Sequence, residues 1–246
     1  MSGILQSFVS GYGTGAGGNT DPYWSSVVLL IGNDNAADGT TTFTDQSVSA
    51  HSVTRSGTVT SYSNTTAPTG MTTAINNTAT TGYLTTAYSA DWYFAAGDFT
   101  IEAMVYLDAS TYFPVANRWA GSAGNNIFDF LMPKVGTDNN AYLSYSSDGT
   151  NAKGITAATS LSTATWYHVT MVRHGVDFMF FINGTQVGST YNASTDSLYN
   201  ISTSLLIFRD TSSRTGVGRI SNLRITKGVA RYTGTFTPPT LPMPTS

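Results

Sequence analysis

Acid–base chemistry on a sugar needs two carboxyl groups about 5–10 Å apart across the bond to be cleaved. A β-strand supplies such a pair when the two residues lie two apart on one face. Glu102 is the single glutamate of the chain, and the residues that follow it on its own face are Met104 and Tyr106. No second carboxylate stands at the needed spacing, so glycoside hydrolysis is not expected and Glu102 reads as a hydrogen-bonded strand residue. The histidines are His51, His168 and His174, too scattered for a zinc-ligand pattern. His168 lies inside an apolar run and reads as a hydrogen-bonded core imidazole. Serine and threonine abound, but no Gly-x-Ser-x-Gly elbow and no Asp–His arrangement stands ready to activate a hydroxyl. The glycine-rich stretch 11–18 lacks both the Gly-Lys-Ser/Thr ending and the preceding strand of a phosphate loop, and reads as linker. No catalytic residues are expected, and the chain is read as a non-enzyme.

Calcium is the one ion for which the sequence leaves an opening. Asn33, Asp34, Asn35 and Asp38 fall in one loop with Asp45 nearby, and they offer the hard oxygen ligands this ion prefers. Asn and Asp in turns more often cap their own backbone, so neither a metal nor any other cofactor is the expectation. Aromatics make up 12% of the chain, enough to leave some rings in loops, where they can stack on sugars. Tyr112, Tyr191 and Tyr199 are the candidate glycan-binding residues, whereas Trp166, inside a strand, is read as core. The Asn-x-Ser/Thr triplets at Asn64, Asn76, Asn183, Asn192 and Asn200 are what an Asn- and Thr-rich chain produces by chance.

Only 10% of the 246 residues are charged and the net charge is −3, so no basic stripe exists to neutralise phosphates or anionic lipids. Nucleic-acid and membrane partners are therefore not expected. No apolar run approaches the roughly 20 residues that span a bilayer, and the start lacks the basic residues of a secretory signal. Cysteine is absent, which removes disulfides, thiolate metal sites and cysteine nucleophiles together. At this length roughly 70–75% of the unfolded surface is buried on folding, so a core needs no such staples.

The elements that must position these residues are short β-rich runs bounded by Gly, Asn, Asp, Ser and Thr, with no long helical stripe. Strands are expected at 25–31, 53–59, 82–84, 99–107, 126–132, 141–146, 166–173, 177–182, 205–208 and 218–227. In the run at 99–107, Phe99, Ile101, Ala103 and Val105 fall on one face, and the other face is also semi-apolar, which implies a central strand covered on both sides. Asn183 and Gly184 form a two-residue hairpin signal, with a return strand starting near Gln186. The Pro-rich tail around 236–244 lacks the donors to pair in a sheet and is expected to wrap the surface as a strap. Residues 1–20 read as an arm, Ile4, Leu5, Phe8 and Val9 forming a short apolar stripe before the linker, and residues 21–246 as one sandwich with its strap. Both chain ends look built to grip neighbours.

The segments 90–106, 165–173, 180–184 and 219–232, the last followed by 236–239, occur in an order that resembles concanavalin A-like (laminin-G-like) jelly-roll domains found in bacteriophage virion proteins and bacterial surface proteins. The resemblance spans about residues 21–244, and the run 225–232 is particularly similar to the phage versions. It implies an all-β jelly-roll sandwich, a fold that hosts lectins, glycosidases and structural modules alike. Relatives often carry an acidic residue near the middle of the last motif, where this chain has Ser221 and Asn222, a departure that counts against calcium. The leading expectation is a non-catalytic capsid decoration protein on the virion surface. Its partners are the major capsid protein or other virion proteins, gripped by Ile4, Leu5, Phe8, Val9 and Tyr12, with self-association into a homo-oligomer left open. The alternative is a tail-fibre or receptor-binding lectin-like module that recognises host glycans through the three loop tyrosines.

Overall fold

The computed structural model describes residues 20–63, 67–119, 126–210 and 214–246. The arm residues Ile4, Leu5, Phe8, Val9 and Tyr12, the linker 11–18 and Asn64 lie outside the described residues. Two antiparallel sheets stack face to face, as the strand pattern predicts. The first contains β1 (Val27–Ile31), β3 (Val59–Tyr62), β4 (Ala74–Asn77), β6 (Phe99–Leu107), β11 (Trp166–His174), β12 (Asp177–Ile182), β13 (Thr185–Asn192) and β15 (Gly218–Lys227). The second contains β2 (Val53–Ser56), β5 (Tyr83–Thr86), β7 (Phe113–Trp119), β8 (Asn126–Met132), β9 (Asn140–Ser146), β10 (Ala152–Ala158) and β14 (Leu205–Ile207). Their orders are β13-β12-β11-β6-β15-β4-β3, with β1 also on β15, and β10-β9-β8-β7-β14-β5-β2.

The core lies between the sheets, where period-two alternation points every second side chain inward. Phe99, Ile101, Ala103 and Val105 of β6 meet Phe128, Phe130 and Met132 of β8 and Leu143 and Tyr145 of β9 in one buried cluster. β6 is central, between β11 and β15, and Thr100 and Glu102 on its other face are also buried. The cover on that face is the chain's own C-terminal strap. Ala230, Tyr232 and Phe236 pack on Val172, Met179 and Phe181, while Leu241 and Met243 pack with Trp24 on Val27 and Leu30. Phe236 N donates to Gly184 O at 2.9 Å, and the Asp21 amide donates to Ser246 O at 2.6 Å. The C-terminal end therefore grips its own sandwich rather than a neighbour, because the outer face of the first sheet is too apolar to leave in water.

Several elements depart from the sequence pattern. The single strand expected at 53–59 is two, β2 and β3, in opposite sheets, parted by a turn at Gly57 with φ +67°. β4 was hidden by its asparagines. β7 was hidden by Pro114, which sits at an irregular register step where a missing donor is tolerated. β10 is a half-exposed edge strand interrupted by Gly154. Trp166 is only partly buried, contrary to expectation: it opens β11 on the outer face, opposite Tyr106, with the two rings 5.4 Å apart.

Candidate functional site

The lone glutamate is held where no substrate can reach it. Glu102 is fully buried; its Oε1 accepts from Arg224 at 2.7 and 2.9 Å, and its Oε2 accepts from Tyr232 Oη at 2.9 Å and lies 3.0 Å from His168 Nε2. Arg224 and Arg231 bridge this carboxylate to Asp21, which they contact at 2.9 and 2.7 Å. Burial pushes the Glu102 carboxyl upward, but the charges of Arg224, His168 and Arg231 outweigh it and hold the group well below the usual carboxylate range. His168, 1% exposed, is the hydrogen-bonded core imidazole that its setting predicts.

In the loop with an opening for calcium, several oxygens are already committed to backbone, while Asn33 Oδ1 is buried without a hydrogen-bond partner. Asp45 accepts from the backbone amides of Leu30, Ser47 and His51 and from the Ser47 hydroxyl, all at 2.8–2.9 Å. Asp38 accepts from Ser63 N and Asn35 from Thr72 N, both at 2.7 Å. Asn222 Oδ1 accepts from Met243 N at 2.7 Å, and Ser221 Oγ donates to Gly32 O at 3.0 Å. Asp45, Asp38, Asn35, Ser221 and Asn222 thus spend these oxygens on the protein's own backbone. Among the described residues, no three acidic or imidazole side chains converge.

The three loop tyrosines are not brought together. Tyr191 is half-buried on the core, its ring edge-on to Tyr145 at 6.5 Å. Tyr199 is 41% exposed and lies against Gly149 just beyond the end of β9. Tyr112 lies toward the other end of β9, with its ring 6.4 Å from Tyr142. Four residues of strand separate Tyr142 from Ser146, or roughly 13 Å.

Around Tyr112 the outer face of the second sheet does form a site. Tyr112 and Tyr142 both donate their hydroxyls to Asp138 Oδ2, at 2.7 and 2.5 Å, and Asn140 Nδ2 donates to Oδ1 at 2.9 Å. Those donors, Tyr142 foremost, lower the Asp138 carboxyl to about 2. The Arg214 guanidinium sits 5.3 Å from the Tyr112 ring centre, and Nε contacts Asp210 Oδ2 at 2.8 Å. Thr80, Thr111, Tyr112, Arg214 and Thr215 line a pocket of about 180 Å³, the volume of about six waters. Thr111 Oγ1 is buried there without a hydrogen-bond partner.

Behind Arg214 lies a pair of acids that sequence reasoning missed. Asp129 alternates with the inward-facing Phe128 and Phe130, so it points outward, and Asn117 of β7 stands directly opposite it. Burial, then the neighbouring Asp210, raises the Asp129 carboxyl to about 7, against the smaller opposing effects of Asn117 and Arg214. The available signal was an aspartate between two phenylalanines in an expected strand. Its partner Asp210 is 81 positions away, counting from 129 to 210, and nothing local announces it.

Two antiparallel sheets around one aromatic core define a concanavalin A-like jelly-roll sandwich. The chain belongs to the concanavalin A-like lectin/glucanases superfamily, in its laminin-G form, whose sequence pattern matches residues 77–231. No curated protein matches the sequence. Among solved structures, the binding domain of Paraclostridial Mosquitocidal Protein 1 is similar, with TM-score 0.63 at 12% identity over 84% of this chain and 50% of that one. The binding domain of Botulinum Neurotoxin DC is similar as well. Its complex with SialylT gives TM-score 0.58 and its complex with rat synaptotagmin II 0.59, both at 13% identity over 84% of this chain and 49% of the other. The chain spans about half the length of these neighbours, and at such identities the likeness is one of fold.

Proposed function

We propose that the chain is a non-catalytic recognition module that binds a glycan at the Tyr112 pocket. The observation that carries this reading is the pocket itself: an aromatic wall, an arginine and an exposed threonine, Thr80. A sugar ring offers an apolar face to Tyr112 and hydroxyls to the exposed Thr80 and to Arg214. Asp138 is already filled by donors and acts by fixing the two tyrosines. The similar structures support recognition of a receptor, since they are binding domains, one of them seen in complex with SialylT and with rat synaptotagmin II. They lend no support to capsid decoration, which rests on the resemblance to phage domains and on arm residues outside the described ones.

One pocket of this size supports millimolar affinity, about −4 kcal/mol, which clustering of copies raises through avidity. The test is a glycan array with the full chain, followed by calorimetric titration of the best ligand. Tyr112→Ala is expected to weaken binding by about tenfold or more, and Tyr199→Ala to leave it unchanged. No binding at millimolar sugar, or equal loss in both variants, refutes the pocket; saturable attachment to virus capsids without sugar binding restores the decoration reading.

A further inference from the structure

Arg118 puts a cation at the end of the apolar core. It stands opposite Phe128 across β7 and β8, so it points inward, and it is fully buried. Its Nη1 donates to Trp92 O at 2.6 Å; its Nη2 donates to Ile201 O at 2.6 Å and to Asn200 Oδ1 at 3.5 Å, while Nε has no partner. Carbonyl oxygens thus take most of its hydrogens, but they do not balance its charge. Arg214, Arg219, Arg224 and Arg231 each have a carboxylate. Among the described residues, no carboxylate pairs with Arg118. Asp91 and Asp196 are taken by other cations, His51 and Lys153. Burial lowers the Arg118 guanidinium to about 10, against the opposing effect of Tyr88, so it is still charged at neutral pH. A buried charge without a counter-ion is costly.

The surface over this cation gives a second, independent sign. The Arg118 Cζ lies 5.6 Å from the centre of the Tyr88 ring, and Asn200 Nδ2 donates to Tyr88 Oη at 3.3 Å. Both residues are exposed, Tyr88 by 42%. Tyr88 Oη accepts from Asn200 and keeps its own proton to give, and Nδ2 keeps a second hydrogen. Two donors at the surface with an unbalanced cation beneath them suit a negative oxygen, because hydrogen bonds to an ionised acceptor are the stronger kind.

We infer that Tyr88 and Asn200 form a second binding site, for an oxyanion, with Arg118 supplying positive charge from beneath. The ligand class is a sulfate, phosphate or carboxylate group, free or carried on a sugar. Tyr112 precedes β7 and Arg118 lies near its other end, so the site does not depend on what the Tyr112 pocket binds.

The test is titration of sodium sulfate into the isotope-labelled full chain at constant ionic strength, following the side-chain amide of Asn200 by NMR. A saturable shift is expected, with a dissociation constant on the order of 1–10 mM. Tyr88→Phe removes one exposed hydroxyl and should weaken binding about tenfold, while the melting temperature stays within about 2 °C of wild type. Arg118→Met should abolish binding and keep the fold, since no carboxylate loses a partner. Tyr112→Ala should leave sulfate binding unchanged. Glucose sulfate should shift Asn200 and glucose should not. Tighter binding of glucose sulfate than of sulfate assigns the anion to a glycan, and equal binding assigns it to a free oxyanion. Absence of a shift at about 50 mM sulfate, well above the expected range, overturns the inference. So does wild-type affinity in Tyr88→Phe, or equal shifts from glucose and glucose sulfate.

Discussion

Glu102 accepts from or contacts side chains of three other segments, Arg224, His168 and Tyr232, at sequence separations of 122, 66 and 130. Converting it to glutamine leaves Arg224 with one carboxylate, Asp21, and removes the acceptor Tyr232 uses in its ionised form. Breaking a buried ion pair from one side costs about 3–5 kcal/mol, so Glu102→Gln should lower the urea midpoint by that equivalent. The same residues set the acid limit of the fold. Glu102 and Asp21 are both held below their ordinary values of 4.5 and 3.8, so the folded state binds their protons less readily than the unfolded chain. Their contribution is fully present above those ordinary values and is lost as pH falls through the depressed ones. Melting temperature should therefore fall steeply as the wild type is acidified below about pH 4, and the E102Q variant should lose the Glu102 part of that slope. An unchanged slope would show that the network does not act as described. The lone glutamate was legible in the sequence; its partners were not, because nothing short-range links residues so far apart.

At the scale of elements, the strands that read correctly were those whose alternation is backed by β-branched and aromatic residues, such as β6, β11, β12 and β15. Those that were missed, β4, β7 and β10, carry Asn, Pro or Gly inside the run and owe their state to pairing with neighbours already in the sheet. Gly57 shows how one residue decides sheet membership. Its φ of +67° turns the chain between β2 and β3, and a Cβ there would sit 2.5 Å from Thr81 O and 2.9 Å from Gly82 Cα. The position is exposed, and an exposed substitution is ordinarily worth less than about 0.5 kcal/mol. Gly57→Ala should nevertheless destabilise by more than about 1 kcal/mol, since alanine is strained at positive φ and the obstruction is backbone. Chemical denaturation measures this directly, and a neutral result would mean that the turn relaxes without cost. Of the candidate site, Tyr112 was legible as a loop aromatic. Asp138, Tyr142, Arg214 and the Asp129–Asp210 pair were not, because they converge from β8, β9 and the segment after β14.

The whole molecule is two-sided in a way that assigns separate tasks to its two outer faces. The first sheet is closed by the strap, under which the Glu102 network and an apolar layer are buried; the second sheet keeps its pocket toward solvent, with the acid pair buried behind Arg214. Phe236 is the strap's chief anchor. Its ring stacks on Tyr232 at 3.6 Å and meets Phe181 and His168 edge-on at 5.4 and 5.7 Å. Phe→Ala in a full core costs about 3–5 kcal/mol; at this half-buried position about 2–3 kcal/mol is expected, or a melting temperature lower by roughly 5–10 °C for a domain of this size. Because the pocket belongs to the opposite sheet and shares no partner with the strap, the two effects should be independent within a few tenths of a kcal/mol. Phe236→Ala should thus leave glycan affinity within about twofold of wild type while it lowers the melting temperature. If affinity fell in step with stability, the strap would be part of the recognition surface rather than the cover of the opposite face. If neither changed, the strap would not be held by this ring.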